Sequence, residues 1–288
     1  GDAPGFVVSV TIRHIGSFTC LASGVLSRTH GRLAHVGHAV VDALTKHADF
    51  GKLWAALRTG YATDEGGQPT PPLLDRRYQV ILMGDLVHPK TKEQYELLTG
   101  REPFEFDNPK HLVSAARAQI RELYRIKRFQ ESAPQSVHII LGNHDDAALN
   151  HNHRLGNAHG ISHIEFEASQ GGLELPEDLQ TWIKGFSRDI HLGSSHFAHA
   201  GPLPSMGYFD DMFYSDKESK RWWQSKGRFV TDAGYSFGVY GHTLMHNGIH
   251  IDELGRFAMI DALDHRQFLE LFYEDDLTQK PTYRSVFF

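Results

Sequence analysis

Four places in the chain set an Asp, Asn or His just beyond a short apolar run. Gln79-Val80-Ile81-Leu82-Met83 ends in Gly84-Asp85, and Val137-His138-Ile139-Ile140-Leu141 ends in Gly142-Asn143-His144-Asp145. Ser195-His196-Phe197-Ala198 runs into His199-Ala200-Gly201, and Phe237-Gly238-Val239-Tyr240 into Gly241-His242-Thr243. Small residues at these junctions let backbone and ligand approach closely, and open α/β sheets hold ligands beyond the carboxyl ends of their strands. The side chains suit metal-assisted hydrolysis. Asn offers an amide oxygen to a cation, His holds or releases a proton near neutral pH, and Asp can orient a His. Oxygen and imidazole ligands without thiolate point to Mn, Fe or Zn in a hydrolytic site rather than to a structural zinc. The expected ligand set is Asp85, Asn143, His199 and His242. Two metals about 3.5–4 Å apart, bridged by a carboxylate, can clamp an in-line displacement. Taken singly, Gly84-Asp85 and Asn143 read as turns, and His199 or His242 as a hydrogen-bonded histidine; the ordered set of four argues for metal.

These junctions need strands to carry them. Apolar runs predict strands over residues 6–12, 79–83, 137–141, 195–198, 236–240, 249–251, 257–260 and 268–273. The last four leave no room for helices between them, so an antiparallel sheet is expected there. Helical spacing predicts an amphipathic helix over Leu33–Lys46. Further helices are expected over Lys90–Leu98, over about Lys110–Gln130, and from Leu175-Pro176-Glu177-Asp178 through Ile183. Residues 59–75 read as an exposed loop, 88–134 as a helical insertion between two core strands, and 150–172 as a second excursion near the site. Alternating strands and helices make the class α/β (α+β).

The length, 288 residues, allows one large domain spanning 1–288. Hydrophobic content of 40% and charged content of 22% are those of an ordinary globular chain. A net charge of −6 gives no electrostatic footing for nucleic acid or an anionic membrane, and no apolar stretch approaches the ~20 residues that cross a bilayer. A single cysteine, Cys20, leaves no intramolecular disulfide and suits a reducing compartment, so a cytoplasmic location is expected. The first residue is Gly rather than Met, as in a processed or trimmed chain, so an upstream targeting segment lies outside this reading.

At the four junctions the chain resembles the calcineurin-like metallophosphoesterases, and most closely their phosphoprotein phosphatase branch. Gly84-Asp85-Leu86-Val87 looks like the start of that family's second motif. The segment Leu141 to Asn150 is similar to its third, Phe197-Ala198-His199-Ala200-Gly201-Pro202 to its His-Ala-Gly form, and Tyr240-Gly241-His242-Thr243 completes the series. The resemblance implies a β-sandwich flanked by helices and a centre of two divalent metals, Mn first, with Fe or Zn as alternatives. It implies that Asp85 bridges the metals and that Asn143, His199 and His242 complete one of them. His144, paired with Asp145, would be the general acid. The implied activity is phosphomonoester hydrolysis, on phosphoprotein (Ser/Thr or Tyr) or a small phosphate ester, by in-line attack of a metal-bound hydroxide. Alternatives are dinucleoside polyphosphate hydrolysis and a catalytically impaired phosphatase-fold binding protein.

The chain departs from the family in two motifs. The first motif, Asp-x-His-Gly, has its best match in Arg28-Thr29-His30-Gly31: His30 is a candidate ligand to the other metal, but Arg28 stands where a carboxylate belongs. In the second motif His88-Pro89-Lys90 replaces Asp-Arg-Gly, so a phosphate-clamping Arg is missing; His88 reads as a surface-loop residue or a substitute donor. Arg228, in a segment loosely like one carrying another phosphate-binding Arg, is the candidate substrate-binding residue. Trp222-Trp223 reads as core, and Met245-His246-Asn247-Gly248 as a hairpin turn.

Overall fold

Parallel strand pairs in each of two sheets, Tyr78–Leu82 with Val137–Ile139 and Ser195–Ala198 with Phe237–Leu244 among them, set the frame of the molecule. The computed structural model describes residues 9–12, 31–32, 39–43, 49–152, 155–157, 159–202, 219–224, 227–273 and 277–288. The first sheet contains β1 (Ser9–Ile12), β3 (Ala39–Ala43), β4 (Tyr78–Leu82), β5 (Val137–Ile139), β11 (Gln267–Tyr273) and β12 (Thr282–Phe287). The second runs in the order β2 (Gly31–Arg32), β6 (Asp189–Leu192), β7 (Ser195–Ala198), β8 (Phe237–Leu244), β10 (Phe257–Asp261), β9 (His250–Asp252). The mixed α/β architecture is the expected α+β class.

Strand alternation builds two cores. Val80 and Leu82 of β4 face the helices, while Ile81 and Met83 face the second sheet. The helix-side core gathers Leu53, Trp54 and Leu57 of α1 (Phe50–Thr59), Leu123, Ile126 and Phe129 of α4 (Pro109–Ser132), and Leu179 and Ile183 of α6 (Glu177–Lys184). Between the sheets lie Ile81, Met83, Ile140, Leu269 and Leu271 from one side, and Ile190, Phe197, Val239, Ala258 and Ile260 from the other. Strands covered on both faces read as near-continuous apolar runs, which is why β4 and β10 are visible in the sequence.

Helix α4 starts where Pro109 follows a capping Asn108, whose side chain accepts from Lys110 N. It carries the chain from β4 back to β5, which lies parallel to β4 with Leu82 opposite Ile139. Helix α3 (Lys92–Thr99) begins at Thr91 and ends at Gly100 in the left-handed conformation, φ 67°. Residues 71–74 form a short helix, α2, and Asn143–Leu149 form α5.

Three expectations are corrected. The Leu33–Lys46 helix is contradicted over Ala39–Ala43, which is strand β3, paired parallel with β4; the rest of that span lies outside the described residues. Adjacent β-branched Val40 and Val41 favour extended backbone, and pairing with β4 outweighs a loose helical spacing. The C-terminal strands are not one antiparallel sheet. β8 and β10 lie parallel, β9 is antiparallel to β10, and β11 crosses to the first sheet. Residues 59–75 are not all exposed, since Ala62, Thr63 and Leu73 are buried. Strands β6 and β12 and helix α1 go beyond the sequence reading. Among the described residues no helix is long and apolar enough to cross a membrane.

Candidate metal centre

The parallel β4–β5 pair brings Gly84-Asp85 beside Gly142-Asn143, and the parallel β7–β8 pair brings His199 beside Gly241-His242. The two halves meet across the sandwich edge. His199 Nδ1 lies 2.7 Å from the Met83 carbonyl oxygen, and the Gly241 amide donates to His199 O at 2.9 Å. A carbonyl can only accept, so Nδ1 carries the proton and Nε2 is left facing Asp85 Oδ2 at 3.3 Å. Burial alone lowers the His199 pKa, but the Asp85 carboxylate outweighs it and the net shift is upward.

Close approach of the two loops dictates the glycines. A Cβ on Gly142 would fall 2.0 Å from Asp85 N, and one on Gly84, whose φ is +98°, would fall 2.5 Å from Gly142 Cα. Asp145 ties the loops together. Its Oδ2 accepts from Asp85 N at 2.7 Å and Gly142 N at 2.9 Å, and its Oδ1 accepts from Leu86 N at 2.6 Å. Burial and the Asp85 carboxylate push the Asp145 carboxyl up to about 7, against the pull of the amides. Asp85, His88 and His242 all hold left-handed backbone, with φ of 57°, 67° and 63°. Such strain in non-glycine residues persists only where surrounding contacts over-determine it, and it gathers at functional sites.

The four expected ligands meet in one buried cluster. Asn143 Oδ1 lies 2.9 Å from His199 Nε2 and 3.2 Å from His242 Nδ1, and Asp85 is fixed by the His144 amide donating to its Oδ1 at 2.7 Å. The Asn143 amide has two orientations of nearly equal shape. With its NH2 turned inward it donates to His199 Nε2, His242 Nδ1 and the Asp85 carboxylate. With its oxygen turned inward, acceptors face acceptors, an arrangement that a cation between them satisfies. Oxygen and imidazole donors of this kind fit a divalent metal.

Behind this cluster stands a column of rings that the sequence reading did not assemble. His144 Nδ1 lies 3.0 Å from His88 Nδ1, so one ring donates and the other accepts. His88 stacks flat on His163, with centroids 4.5 Å apart and planes within 4°. The Tyr95 hydroxyl donates to Glu165 Oε1 at 2.7 Å, so His163 Nδ1, 2.8 Å away, is the donor to Tyr95. Gln119 of α4 joins the column to the helix, accepting from His88 N at 2.8 Å and donating to Glu165 at 2.9 Å. Burial lowers the His144 pKa to about 4 and that of His163 well below its ordinary value. His88 is only 1% exposed, so its reading as a surface-loop residue is corrected. The period-two run of buried His163, Glu165 and Glu167 was the available sequence signal for this wall.

The role expected of Asp145 changes as well. Its three hydrogen bonds go to main-chain amides, and the ring partner of His144 is His88. Arg228 is exposed at the N-terminus of helix α7 (Phe229–Asp232), and no hydrogen bond or ion pair joins it to the cluster among the described residues. His30 and Arg28 lie outside the described residues. Trp222 is core, 3% exposed among Tyr240, Phe257 and Val230, and residues 245–248 form the expected turn, with Gly248 at φ 88°.

No protein-family model matches the chain, and no curated protein matches its sequence. Among solved structures it is similar to the cold-active protein-tyrosine phosphatase of a psychrophilic Shewanella species. The identity is 12%, over 83% of this chain and 77% of that one, and the TM-score is 0.49. A point mutant of a cold-active protein tyrosine phosphatase gives the same figures. A further structure of a cold-active protein tyrosine phosphatase is 10% identical over 83% and 75% of the two chains, with TM-score 0.48.

Proposed function

We propose that the chain is a metal-dependent phosphatase that hydrolyses phosphomonoesters, with phosphorylated Ser/Thr or Tyr side chains of proteins as substrate. The observation that carries this reading is the buried convergence of Asp85, Asn143, His199 and His242 from four strand ends. The donor set suits two divalent cations, manganese first, with His30 as a ligand to the second. When bound, such cations place positive charge on the phosphate oxygens and activate water for in-line attack.

The chain's own residues supply the rest. Asp85 is held by the His144 amide, and His199 by the Met83 carbonyl, so both present fixed lone pairs. His144 faces the leaving oxygen as general acid. Burial keeps it neutral in the resting chain, but a phosphate dianion beside it favours the charged form. The proton leaves from Nε2, and His144 returns to the neutral form with its Nδ1–H donating to His88 Nδ1 across their 3.0 Å bond. Asp145 acts as a positioning residue through the loops it joins. Arg228 is the proposed phosphate-side donor, its side chain being exposed.

The experiment combines metal analysis with hydrolysis of para-nitrophenyl phosphate in added Mn²⁺. Two metals per chain that are lost in Asp85→Asn, turnover that depends on Mn²⁺, and its loss in His144→Asn are expected. A folded chain with no metal uptake and no turnover refutes the reading. A panel of phosphopeptides against diadenosine tetraphosphate assigns the substrate class, and preference for the latter overturns the phosphoprotein assignment.

A further inference from the structure

The outer face of the second sheet carries another group of metal-type side chains, sharing no residue with the centre above. Ile190 and Leu192 of β6 point between the sheets, so Asp189 and His191 face outward, and the antiparallel register sets His191 directly opposite His196 of β7. Both imidazole Nε2 atoms lie 3.1 Å from Asp189 Oδ2, and the three ligand atoms all fall within 4.8 Å of one another.

The surroundings hold the group in place. His196 Nδ1 is 2.9 Å from the Tyr240 hydroxyl, and the Tyr235 ring stacks on the imidazole at 4.2 Å with planes within 6°. A partner on the far ring nitrogen fixes the direction of the near one, as outer-shell groups do for ligating histidines. Side-chain exposure rises from 3% at His196 through 10% at Asp189 to 23% at His191, so the group opens to solvent on the His191 side. At bond lengths of about 2.1 Å, Asp189 Oδ2 and either Nε2, 3.1 Å apart, subtend an angle of about 95° at a cation, between octahedral and tetrahedral values.

We propose that Asp189, His191 and His196 bind a divalent transition metal of the zinc class, with the remaining coordination positions open to water. Two imidazoles and one carboxylate suit zinc, nickel or cobalt better than calcium or magnesium. The bound ion clamps β6 to β7, the strand that ends in His199. The plainer arrangement of the same atoms is a carboxylate accepting from two neutral imidazoles, with no affinity for metal.

The test is zinc titration of the metal-stripped full chain against a chromophoric chelator, for wild type, His191→Ala, Asp189→Asn and Asp85→Asn. One zinc equivalent is expected to disappear in His191→Ala and in Asp189→Asn, and to remain in Asp85→Asn. Circular dichroism without zinc shows that each chain is folded. His191 is partly exposed and Asp189→Asn keeps the side-chain volume, so one of the two carries the measurement if the other does not fold. Equal zinc uptake by wild type and both variants overturns the proposal and leaves only the hydrogen-bonded trio. Loss of uptake in Asp85→Asn alone bears on the phosphatase centre and not on this site.

Discussion

Replacing Asp145 by Asn keeps the side chain's shape and changes one acceptor oxygen into a donor. The carboxylate accepts from three main-chain amides, two on Oδ2 and one on Oδ1. The better orientation of Asn puts its oxygen at the Oδ2 position and keeps the bonds from Asp85 N and Gly142 N, now as neutral ones. Its NH2 then faces the Leu86 amide, donor against donor. A hydrogen bond to a charged group contributes about 1.5–3 kcal/mol and a buried donor left unsatisfied costs about 1–3 kcal/mol, a gross loss of about 3–6 kcal/mol. Relief of the burial and Asp85 repulsion that push the carboxyl up to about 7 offsets up to about 4 kcal/mol of it, leaving a net loss of about 1–2 kcal/mol. Urea unfolding followed by fluorescence of the four tryptophans, at pH 8 where the carboxylate is ionised, measures it. A change under about 1 kcal/mol together with abolished hydrolysis refutes the reasoning. That result would return Asp145 to the role of orienting the His144 ring.

Other perturbations test neighbouring parts. Gly142→Ala places a Cβ 2.0 Å from Asp85 N and should destabilise by more than about 3 kcal/mol. Gly100→Ala, with φ +67° and nothing within 4 Å, should cost only about 1 kcal/mol; comparable unfolding midpoints for the two would contradict the close approach of the loops. Burial holds His144 at about 4 against an ordinary 6.5, so between these values the folded metal-free chain binds fewer protons than the unfolded one. Its stability should therefore fall as pH drops from 6.5 to 4, with His144 contributing up to about 3 kcal/mol of the loss beside the buried His138 and His163. His144→Asn should reduce the slope of that segment by one proton's worth, and an unchanged slope would show that the ring is not buried neutral. Asp261 is 1% exposed, burial pushes its pKa well up, and neither carboxylate oxygen has a hydrogen-bond partner among the described residues. A raised carboxyl pKa gives stability at low pH that is lost as pH rises towards the folded value. Asp261→Asn should thus stabilise the chain by about 1–3 kcal/mol at pH 8 and leave it little changed at pH 4, as read from unfolding midpoints.

The convergence of Asp85, Asn143, His199 and His242 was legible because its signal is local: a strand, a small residue, then a metal-type side chain. β4 is buried on both faces, so its run carries few polar interruptions. The wall of the site was not legible, because His88, His163 and Tyr95 come together only through ring stacking across separate loops and α3. His88 follows the second junction closely, yet nothing in the local sequence shows that Gln119 and His163 will cover it. β3 was misread since spacing alone cannot separate a short buried strand from one face of a helix. Asp145 was assigned to the wrong partner because sequence adjacency to His144 says nothing of where its oxygens point. The exposed edge of β12 had no alternating pattern to find.

The junctions that meet at the centre are far apart along the chain. Asp85 and Asp145 are separated by 60 residues, Asn143 and His242 by 99, and Met83 and His199 by 116. Closing loops of that length is entropically opposed until long-range strand pairing has already brought the ends together. The polar cluster should therefore form after the rate-limiting step of folding, with little of its hydrogen bonding present in the transition state. Lesions such as Asp145→Asn would then act on the escape from the native state: unfolding accelerates while refolding hardly slows. The lifetime of the native chain, more than its speed of formation, is what these side chains govern.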